Sequence, residues 1–236
     1  MELVTVSSAL YSGGVQYKLN NEGVKKLMEN PEVKNMKIAV ISVFGKGGSV
    51  IYDLLLKYAI HRYKEGKNPS ENWLTSASSE HRRSSIQSSR AIMIWRELFI
   101  AKTKTNENIA VLLMVSQGIL AAQEEASTFA LSVLASSTQL FHVMRRISEE
   151  QMKQIEMFTE FSKHLQEIKG ANKAFQHLLF VVRGWDEPTQ YEFRFRGGNQ
   201  YLIESIFNDA KFAPERIKTR RNVMSSFDKI YVFSHG

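Results

Sequence analysis

The sequence predicts an α/β fold, with a mainly parallel sheet that helices cover on both faces. Its predicted strands are short apolar runs, as at 37–44, 109–114 and 176–182. Each run ends in a polar turn, and continuous apolar strands of this kind are typical of parallel sheets buried on both sides. Helical periodicity appears between the runs, which is the pattern of alternating strands and helices expected for an α/β domain.

The first strand leads directly into a glycine-rich turn and then into a helix. Residues 37–44 are rich in β-branched side chains, which favour a buried strand. Gly45-Lys46-Gly47-Gly48-Ser49 follows at once, and apolar residues then recur at helical spacing from Tyr52. Strand, glycine-rich turn and helix in this order are the setting of a phosphate-binding loop.

The remaining elements follow from the same signals. A last strand is predicted at 229–233, and shorter helices at 21–29, 198–209 and 214–226. The strongest helix begins at the capping box Ser148-Glu149-Glu150-Gln151 and carries an apolar stripe to Ile168. The polar, serine-rich stretch from Asn68 to Arg90 predicts a long exposed loop.

Composition excludes several classes of function. The 236 residues include no cysteine, so disulfide frameworks and thiolate metal sites are excluded. The longest apolar run, 109–115, is about a third of a membrane span, and no secretory signal opens the chain. The net charge is +7, but the basic residues come in small groups without a nucleic-acid motif. We therefore expect no nucleic-acid partner and no direct membrane span.

The glycine-rich turn matches the spacing of the phosphate-binding loop, G-x-x-x-x-G-K-[ST], but only part of its chemistry. In that loop the backbone N–H groups wrap the phosphates, the lysine neutralises them and the hydroxyl holds magnesium. The aligned stretch runs from Ser42 to Ser49. Ser42 stands where the motif has its first glycine, and Gly48 stands where the motif has its lysine. From these residues alone, a strand-to-helix turn that binds no ligand is an equally admissible interpretation.

Five separated stretches, in order from about residue 15 to the end, resemble the atlastin branch of the dynamin superfamily. Phe-Gly-Lys-Gly-Gly-Ser at 44–49 corresponds to Phe-Arg-Lys-Gly-Lys-Ser, and the strand ending Val-Ser-Gln-Gly at 115–118 to one ending Asp-Thr-Gln-Gly. Phe-Thr-Glu-Phe at 158–161 parallels Phe-Thr-Glu-Tyr, and Val-Arg-Gly-Trp at 182–185 parallels Val-Arg-Asp-Trp. The stretch 94–99 is similar to the strand after the family's first switch.

The resemblance implies a P-loop GTPase-like fold. It implies one G domain over residues 1–236, with 1–36 as an N-terminal extension packed on it. The middle helical domain and membrane segments with which the family fuses endoplasmic-reticulum membranes have no counterpart in the sequence. GTP or GDP with magnesium would be the ligands if the pocket is competent. The family pairs through its nucleotide face, so the implied partner is a second copy or a related G domain.

The resemblance implies that ten positions on three turns contact the nucleotide. These are Gly45, Lys46, Gly47, Gly48, Ser49, Val50, Gln117, Gly118, Arg183 and Gly184. Magnesium ligation carries over to Ser49 and, weakly, to Ser89.

The departures from the family fall on its charged groups. Gly45 stands in place of the arginine that stabilises the transition state, and Gly48 in place of the phosphate-binding lysine. Val115 replaces the aspartate that supports magnesium, and Gly184 replaces the aspartate that reads guanine. Lys46 is a candidate to replace the missing phosphate-binding lysine, and Asp186 is a candidate to replace the missing aspartate that reads guanine. Arg82, Arg83 or Arg90 could substitute for the arginine.

We therefore expect a pseudo-GTPase that binds nucleotide weakly or not at all, with no catalytic residue, and that acts as an interaction module. The alternative is a divergent but functional GTPase of the atlastin family that uses Lys46 and Ser49 on the phosphates. The expected location is the cytoplasm, or the cytosolic face of the endoplasmic reticulum through a partner.

Overall fold

A computed structural model describes residues 2–8, 15–45, 47–68, 91–95, 97–117, 122–158 and 175–236. Strands alternate with helices along the chain, so the predicted α/β class is confirmed. The backbone forms two compact units. The first comprises 1–43 and 47–125, and the second comprises 44–46 and 126–236.

The first unit is built on a sheet in which one pair of strands is parallel and the other described pairs are antiparallel. Its elements are β1 Glu2–Ser8, β2 Val15–Leu19, α1 Asn21–Met28, β3 Lys37–Phe44, α2 Gly48–Ala59, β4 Ala91–Ile94, β5 Phe99–Lys102 and β6 Asn108–Gln117. The strand order is β2-β1-β4-β6-β3, and β5 also pairs with β6. Parallel β3 and β6 run in register from Lys37 opposite Ile109 to Val43 opposite Val115, so both strands end at the same edge.

One face of this sheet forms an apolar core with α1. Leu27 of α1 is buried against Ile92 and Ile94 of β4 and against Leu112 and Met114 of β6. The helix is fixed at its start because the Asn20 side chain accepts a hydrogen bond from the Gly23 N–H at 3.0 Å.

Three parallel strands form the sheet of the second unit. Its elements are β7 Thr138–Met144, α4 over 149–158, β8 Phe175–Arg183, α5 Arg194–Tyr201, α6 Pro214–Ser226 and β9 Phe227–His235, while α3 Ala122–Ala135 crosses the boundary between the units. The strands lie in the order β7-β8-β9, and Met144, Arg183 and His235 share one row at their carboxyl ends.

The predicted capping box forms atom by atom at the start of α4. The Ser148 N–H donates to Gln151 Oε1 at 2.8 Å, and the Gln151 N–H donates to Ser148 Oγ at 3.2 Å. Two orphan donors of the first helical turn are thereby satisfied. Phe158, at the end of the described part of this helix, stacks on Phe129 of α3 at 4.2 Å between ring centroids.

Helix α5 lies along the outer edge of β9. The Val232 N–H donates to Asn199 Oδ1 at 2.9 Å, and Arg194 forms a bridge with Ser234. A Cβ on Gly198 would stand 2.5 Å from the Val232 carbonyl oxygen. Only glycine allows this approach between helix and strand.

Several elements differ from the sequence-based expectation. The helix expected at 198–209 begins at Arg194 and continues through a π-helical turn at Leu202–Ile206. From sequence alone, the pair Gly197-Gly198 indicates a turn before the helix. In the structure both glycines lie inside the helix, where other backbone atoms come too close for a Cβ. Strands β1, β2 and β7 and helix α3 were not predicted. The stretch 94–99, likened above to one strand, contains only the end of β4 at Ile94 and the start of β5 at Phe99. Of the predicted loop 68–90, residues 69–90 lie outside the described part of the chain.

No helix in the described part of the chain is long and apolar enough to cross a membrane.

A buried arginine ties the helices of the second unit together. The guanidinium of Arg220, with a side chain 3% exposed, donates to both carboxylate oxygens of Glu149 at the start of α4. Its Nε–H donates to the Ile206 carbonyl at 2.6 Å, and its guanidinium carbon lies 3.6 Å from the centre of the Phe212 ring. The hydrogen bonds from Arg220 hold the pKa of Glu149 below its usual range.

Glu149→Gln is expected to lower the free energy of unfolding by about 2 kcal/mol, because it leaves the buried Arg220 without its counter-charge. Since the folded-state pKa of Glu149 is lowered, this contribution is complete above the ordinary pKa and is lost as pH falls through the folded-state value. Urea titrations across acidic pH measure both effects. Glu150→Gln, on an exposed neighbour, is the control and should change little. An equal loss in both variants would contradict the role of the Arg220 pair.

Candidate functional site

The turn after β3 has two glycines in left-handed backbone conformations and leads directly into α2. Gly45 has φ of +109° and Gly47 has φ of +79°, both in the left-handed region that favours glycine. Gly47 caps α2, and no side chain among the described residues forms a capping hydrogen bond there. The first turn of α2 therefore presents backbone N–H groups and the positive end of the helix dipole, the arrangement that suits anions.

Gly45 cannot carry a side chain in this conformation. A Cβ at this position would lie 2.5 Å from the carbonyl oxygen and 3.2 Å from the backbone nitrogen of His142 in β7. Backbone atoms inside a strand cannot move aside as the end of a flexible side chain can. With the backbone in this conformation, the arginine that the resemblance assigns to position 45 would collide with β7.

Gly48 is a different case, because its surroundings leave room. It is the first residue of α2, and among the described residues a Cβ there would meet only the Val43 side chain, at 3.3 Å. A shift of a few tenths of an ångström would accommodate it. The lysine of the phosphate-binding loop is thus missing from the sequence but not prevented by the backbone.

The strand end that should support magnesium is apolar. Val115 is 1% exposed and lies opposite Val43 of β3 and Met93 of β4. The neighbouring hydroxyl of Ser116 is buried and forms no hydrogen bond within the described residues. It cannot stand in for a carboxylate at 115, since successive side chains of a strand point to opposite faces.

The described residues do not fit a magnesium site. Magnesium takes oxygen ligands in near-octahedral geometry, usually with at least one carboxylate. Ser49, half-buried in the first turn of α2, offers a hydroxyl, and the side chain of Val115 offers no oxygen. In the described ranges no three histidine or acidic side chains are grouped so that they could hold a metal ion.

In the second unit, the turn after β8 retains the arginine and lacks the carboxylate. Arg183 ends the strand with an exposed side chain, and Gly184 follows with φ of +63°. A Cβ on Gly184 would meet no described atom within 4 Å. Aspartate tolerates this backbone better than most residues, so the guanine-reading carboxylate is absent without a steric reason.

The loop that follows is anchored by aromatic residues. Trp185 donates its ring N–H to the Tyr191 carbonyl at 3.2 Å and packs edge-on against Tyr201 at 4.9 Å between centroids. Burial raises the pKa of Tyr201 to about 12. Asp186, the candidate to rescue guanine reading, is exposed at the start of this loop.

Some of the predicted site residues cannot be placed. Lys46, Gly118 and Ser89 lie outside the described residues, as do Arg82, Arg83 and Arg90. Gln117 ends β6, and its backbone lies opposite Ala91 of β4. Val50 lies in the first turn of α2 with a side chain 44% exposed. Nucleotide contact by the ten assigned positions stays a prediction.

Sequence reasoning missed two arginines with unusual backbone conformations. Arg145, directly after β7, has φ of +65°, and Arg194, at the start of α5, has φ of +74°. The left-handed region costs a residue with a Cβ roughly 1–2 kcal/mol. The sequence signal available was the pair Arg145-Arg146 after an apolar run that also contains polar residues.

Comparison with known proteins identifies the class. The family described as guanylate-binding protein, N-terminal domain, matches residues 14–235. The chain belongs to this family. Atlastin from Drosophila melanogaster is 28% identical over 229 residues, and atlastin-3 from Homo sapiens is 28% identical over 230. Atlastin-2 from Homo sapiens is 26% identical over 230 residues.

These matches confirm the predicted family and fold. The chain is an atlastin-type G domain of the dynamin superfamily, with a P-loop GTPase-like α/β fold. Each match covers 92% of this chain but 42% or less of the atlastin, so the chain spans under half the length of these relatives.

Gly45→Ala is expected to lower the free energy of unfolding by about 2–4 kcal/mol, from the left-handed backbone and the collision with His142. Gly66→Ala is the matched control, because Gly66 has φ of +67° and open space around it. Gly66→Ala should lower the free energy of unfolding only by the cost of the left-handed backbone, about 1 kcal/mol. Urea denaturation measures both, and equal losses would contradict the steric argument.

Gly48→Ala is expected to leave stability within about 1 kcal/mol of the parent. The small adjustment of Val43 is offset because alanine favours a helix over glycine. The same urea titration measures it. A loss as large as that of Gly45→Ala would mean that this position, too, is closed to a side chain.

Proposed function

We propose that this chain is a pseudo-GTPase: a G domain that binds nucleotide weakly or not at all, does not hydrolyse it, and acts as a protein-interaction module. The observation that carries the proposal is the contact between Gly45 and His142. A side chain at position 45 would collide with the His142 backbone in this conformation, which supports the absence of the arginine that the resemblance makes catalytic.

The affinity expected for GTP is low, because three charged partners are missing. Gly48, Val115 and Gly184 replace the phosphate-binding lysine, the carboxylate behind magnesium and the guanine-reading carboxylate. A hydrogen bond to a charged group contributes about 1.5–3 kcal/mol. Together the losses amount to roughly 5–9 kcal/mol, or three to six powers of ten in affinity if they add.

Hydrolysis is reduced further by the loss at position 45. An arginine at the transition state contributes about 10³–10⁵ in rate. With Gly45 closed to side chains, that contribution must come from elsewhere or be absent.

The interaction role rests on the preserved fold. The strands of both units keep apolar, buried side chains up to the ends that should carry the chemistry. Losses confined to charged positions on an intact scaffold are consistent with a surface retained for contact with another protein. Under this proposal the partner is a second copy or a related G domain, engaged through the face that the resemblance assigns to nucleotide. The chain would lie in the cytoplasm, or at the endoplasmic reticulum through that partner.

A functional GTPase is the second candidate, and the open space at Gly48 and Gly184 favours it. Neither position is sterically closed, and the first turn of α2 keeps its uncapped backbone. In this case Lys46 would neutralise the phosphates, Ser49 would hold magnesium and Asp186 would read the base.

Calorimetric titration of the chain with GTP, GDP and a non-hydrolysable GTP analogue, with magnesium present, separates the two. The pseudo-GTPase predicts no binding tighter than the millimolar range. Micromolar binding with a preference for guanine, lost in Lys46→Ala and Ser49→Ala, would overturn it. Sedimentation in the absence of nucleotide tests self-association.

Restoring charge should recover part of the binding if the pocket survives. Gly48→Lys with Val115→Asp is expected to strengthen GTP binding by at least about tenfold, one charged hydrogen bond in free energy. Met28→Lys, on the exposed end of α1, adds a lysine elsewhere, which controls for the positive charge at position 48, and should have no effect. Calorimetry measures affinity, and circular dichroism checks that the buried aspartate has not unfolded the chain. A folded double variant without recovery would show that more than these two charges is missing.

A further inference from the structure

The carboxyl edge of the three-stranded sheet in the second unit carries a row of exposed arginines. Arg145 directly follows β7, Arg183 ends β8, and Arg194 opens α5 beside Ser234 of β9. All three side chains are exposed. They come from three separate parts of the chain, and the sheet brings them together.

Backbone contacts fix the order of the row. The Arg145 N–H donates to the Arg183 carbonyl at 2.8 Å, and Ser234 lies one residue before His235, which is opposite Arg183. Neighbouring strands are about 4.8 Å apart, so the row from Arg145 to Arg194 spans roughly 14 Å. This is about the length of four residues of extended chain.

The three guanidiniums have no described acidic partner. No carboxylate in the described part of the chain forms an ion pair with Arg145, Arg183 or Arg194, whereas Arg196 and Arg221 are paired with Glu192 and Asp209. Arg216 is likewise near Glu149, whereas Arg146, next to Arg145, is exposed and has no ion pair within the described residues, so it adds to the unpaired positive charge of the row.

Two of the three arginines occupy positions where glycine would fit better. Arg145 and Arg194 have φ of +65° and +74°. A residue held in an unfavourable backbone conformation at a surface is an indication that its side chain has a role. Met144 and Phe193 beside them are 53% and 45% exposed. Arginine, methionine and phenylalanine are enriched at the centres of protein interfaces.

We propose that this arginine row binds an acidic, extended segment of a partner protein. The proposal rests on the interaction role proposed above and specifies the chemistry of the partner. Opposite charge in the partner complements the unpaired guanidiniums, and the neighbouring apolar side chains add contact area. The partner proposed above, a second copy or a related G domain, would have to present an acidic segment here, because two arginine rows brought together would repel each other.

The test uses the full chain and a fluorescent peptide of about six glutamates, long enough at about 3.3 Å per residue to cover the row. Fluorescence anisotropy at low salt should show saturable binding that weakens as salt is added. Arg145→Glu with Arg183→Glu should weaken binding at least tenfold. Lys218→Glu with Lys229→Glu makes the same change of charge on exposed residues away from the row, and should weaken it less than twofold.

Three outcomes would overturn the proposal: no binding by the parent chain, equal weakening in both double variants, or tighter binding of an oligothymidine of equal charge. The last would assign the row to nucleic acid. Arg145→Gly guards against unfolding as the cause, since it removes the guanidinium and relieves the backbone. It is expected to raise the melting temperature and to weaken peptide binding, and unchanged binding would count against the row.

These results are separate from the nucleotide titration. Micromolar GTP binding would overturn the pseudo-GTPase proposal and leave the peptide measurement as it stands. Failure of the peptide to bind, with no GTP binding, would leave the pseudo-GTPase proposal and remove the acidic partner.

Discussion

The close approach of the turn after β3 to the backbone of β7 is the constraint on which the rest of the site depends. Position 45 lies against His142 so closely that glycine alone fits. The same approach lets Phe44, one residue earlier, pack edge-on against Phe129 at 4.7 Å and near Phe141 at 5.7 Å. The contact that closes position 45 to a side chain therefore lies directly beside the aromatic core of the second unit.

The fold was predictable where hydrophobic period and local chemistry agree. Strand β3 and helix α6 have the predicted bounds, and the capping box at Ser148 forms the predicted hydrogen bonds. Strand β7 was missed because polar side chains interrupt its apolar run. Gln139 is fully buried there, and it accepts a hydrogen bond from Ser132 Oγ at 2.7 Å. A partner across space makes Gln139 a core residue, and no single sequence displays that partner.

In the candidate site, the spacing of the sequence identifies the positions that have lost a charged side chain, and only the contacts in the structure show which of them could accept one. From sequence, Gly45, Gly48 and Gly184 are three equal losses of a charged side chain. The structure distinguishes them, because Gly45 is closed to a side chain while Gly48 and Gly184 are open. Whether a lost side chain can return depends on atoms from distant parts of the chain, His142 among them.

Helix α5 along the outer edge of β9 has a consequence for how the second unit meets other proteins. The last strand of a sheet normally offers unpaired backbone groups, to which a strand from another chain can add. Here the Val232 N–H is already bonded to Asn199, and Ser234 is bridged by Arg194. Along this stretch the edge is protected against strand addition and the aggregation that follows from it. Recognition at this end of the second unit must therefore be made by side chains, so that charge and shape, rather than backbone pairing, select what binds.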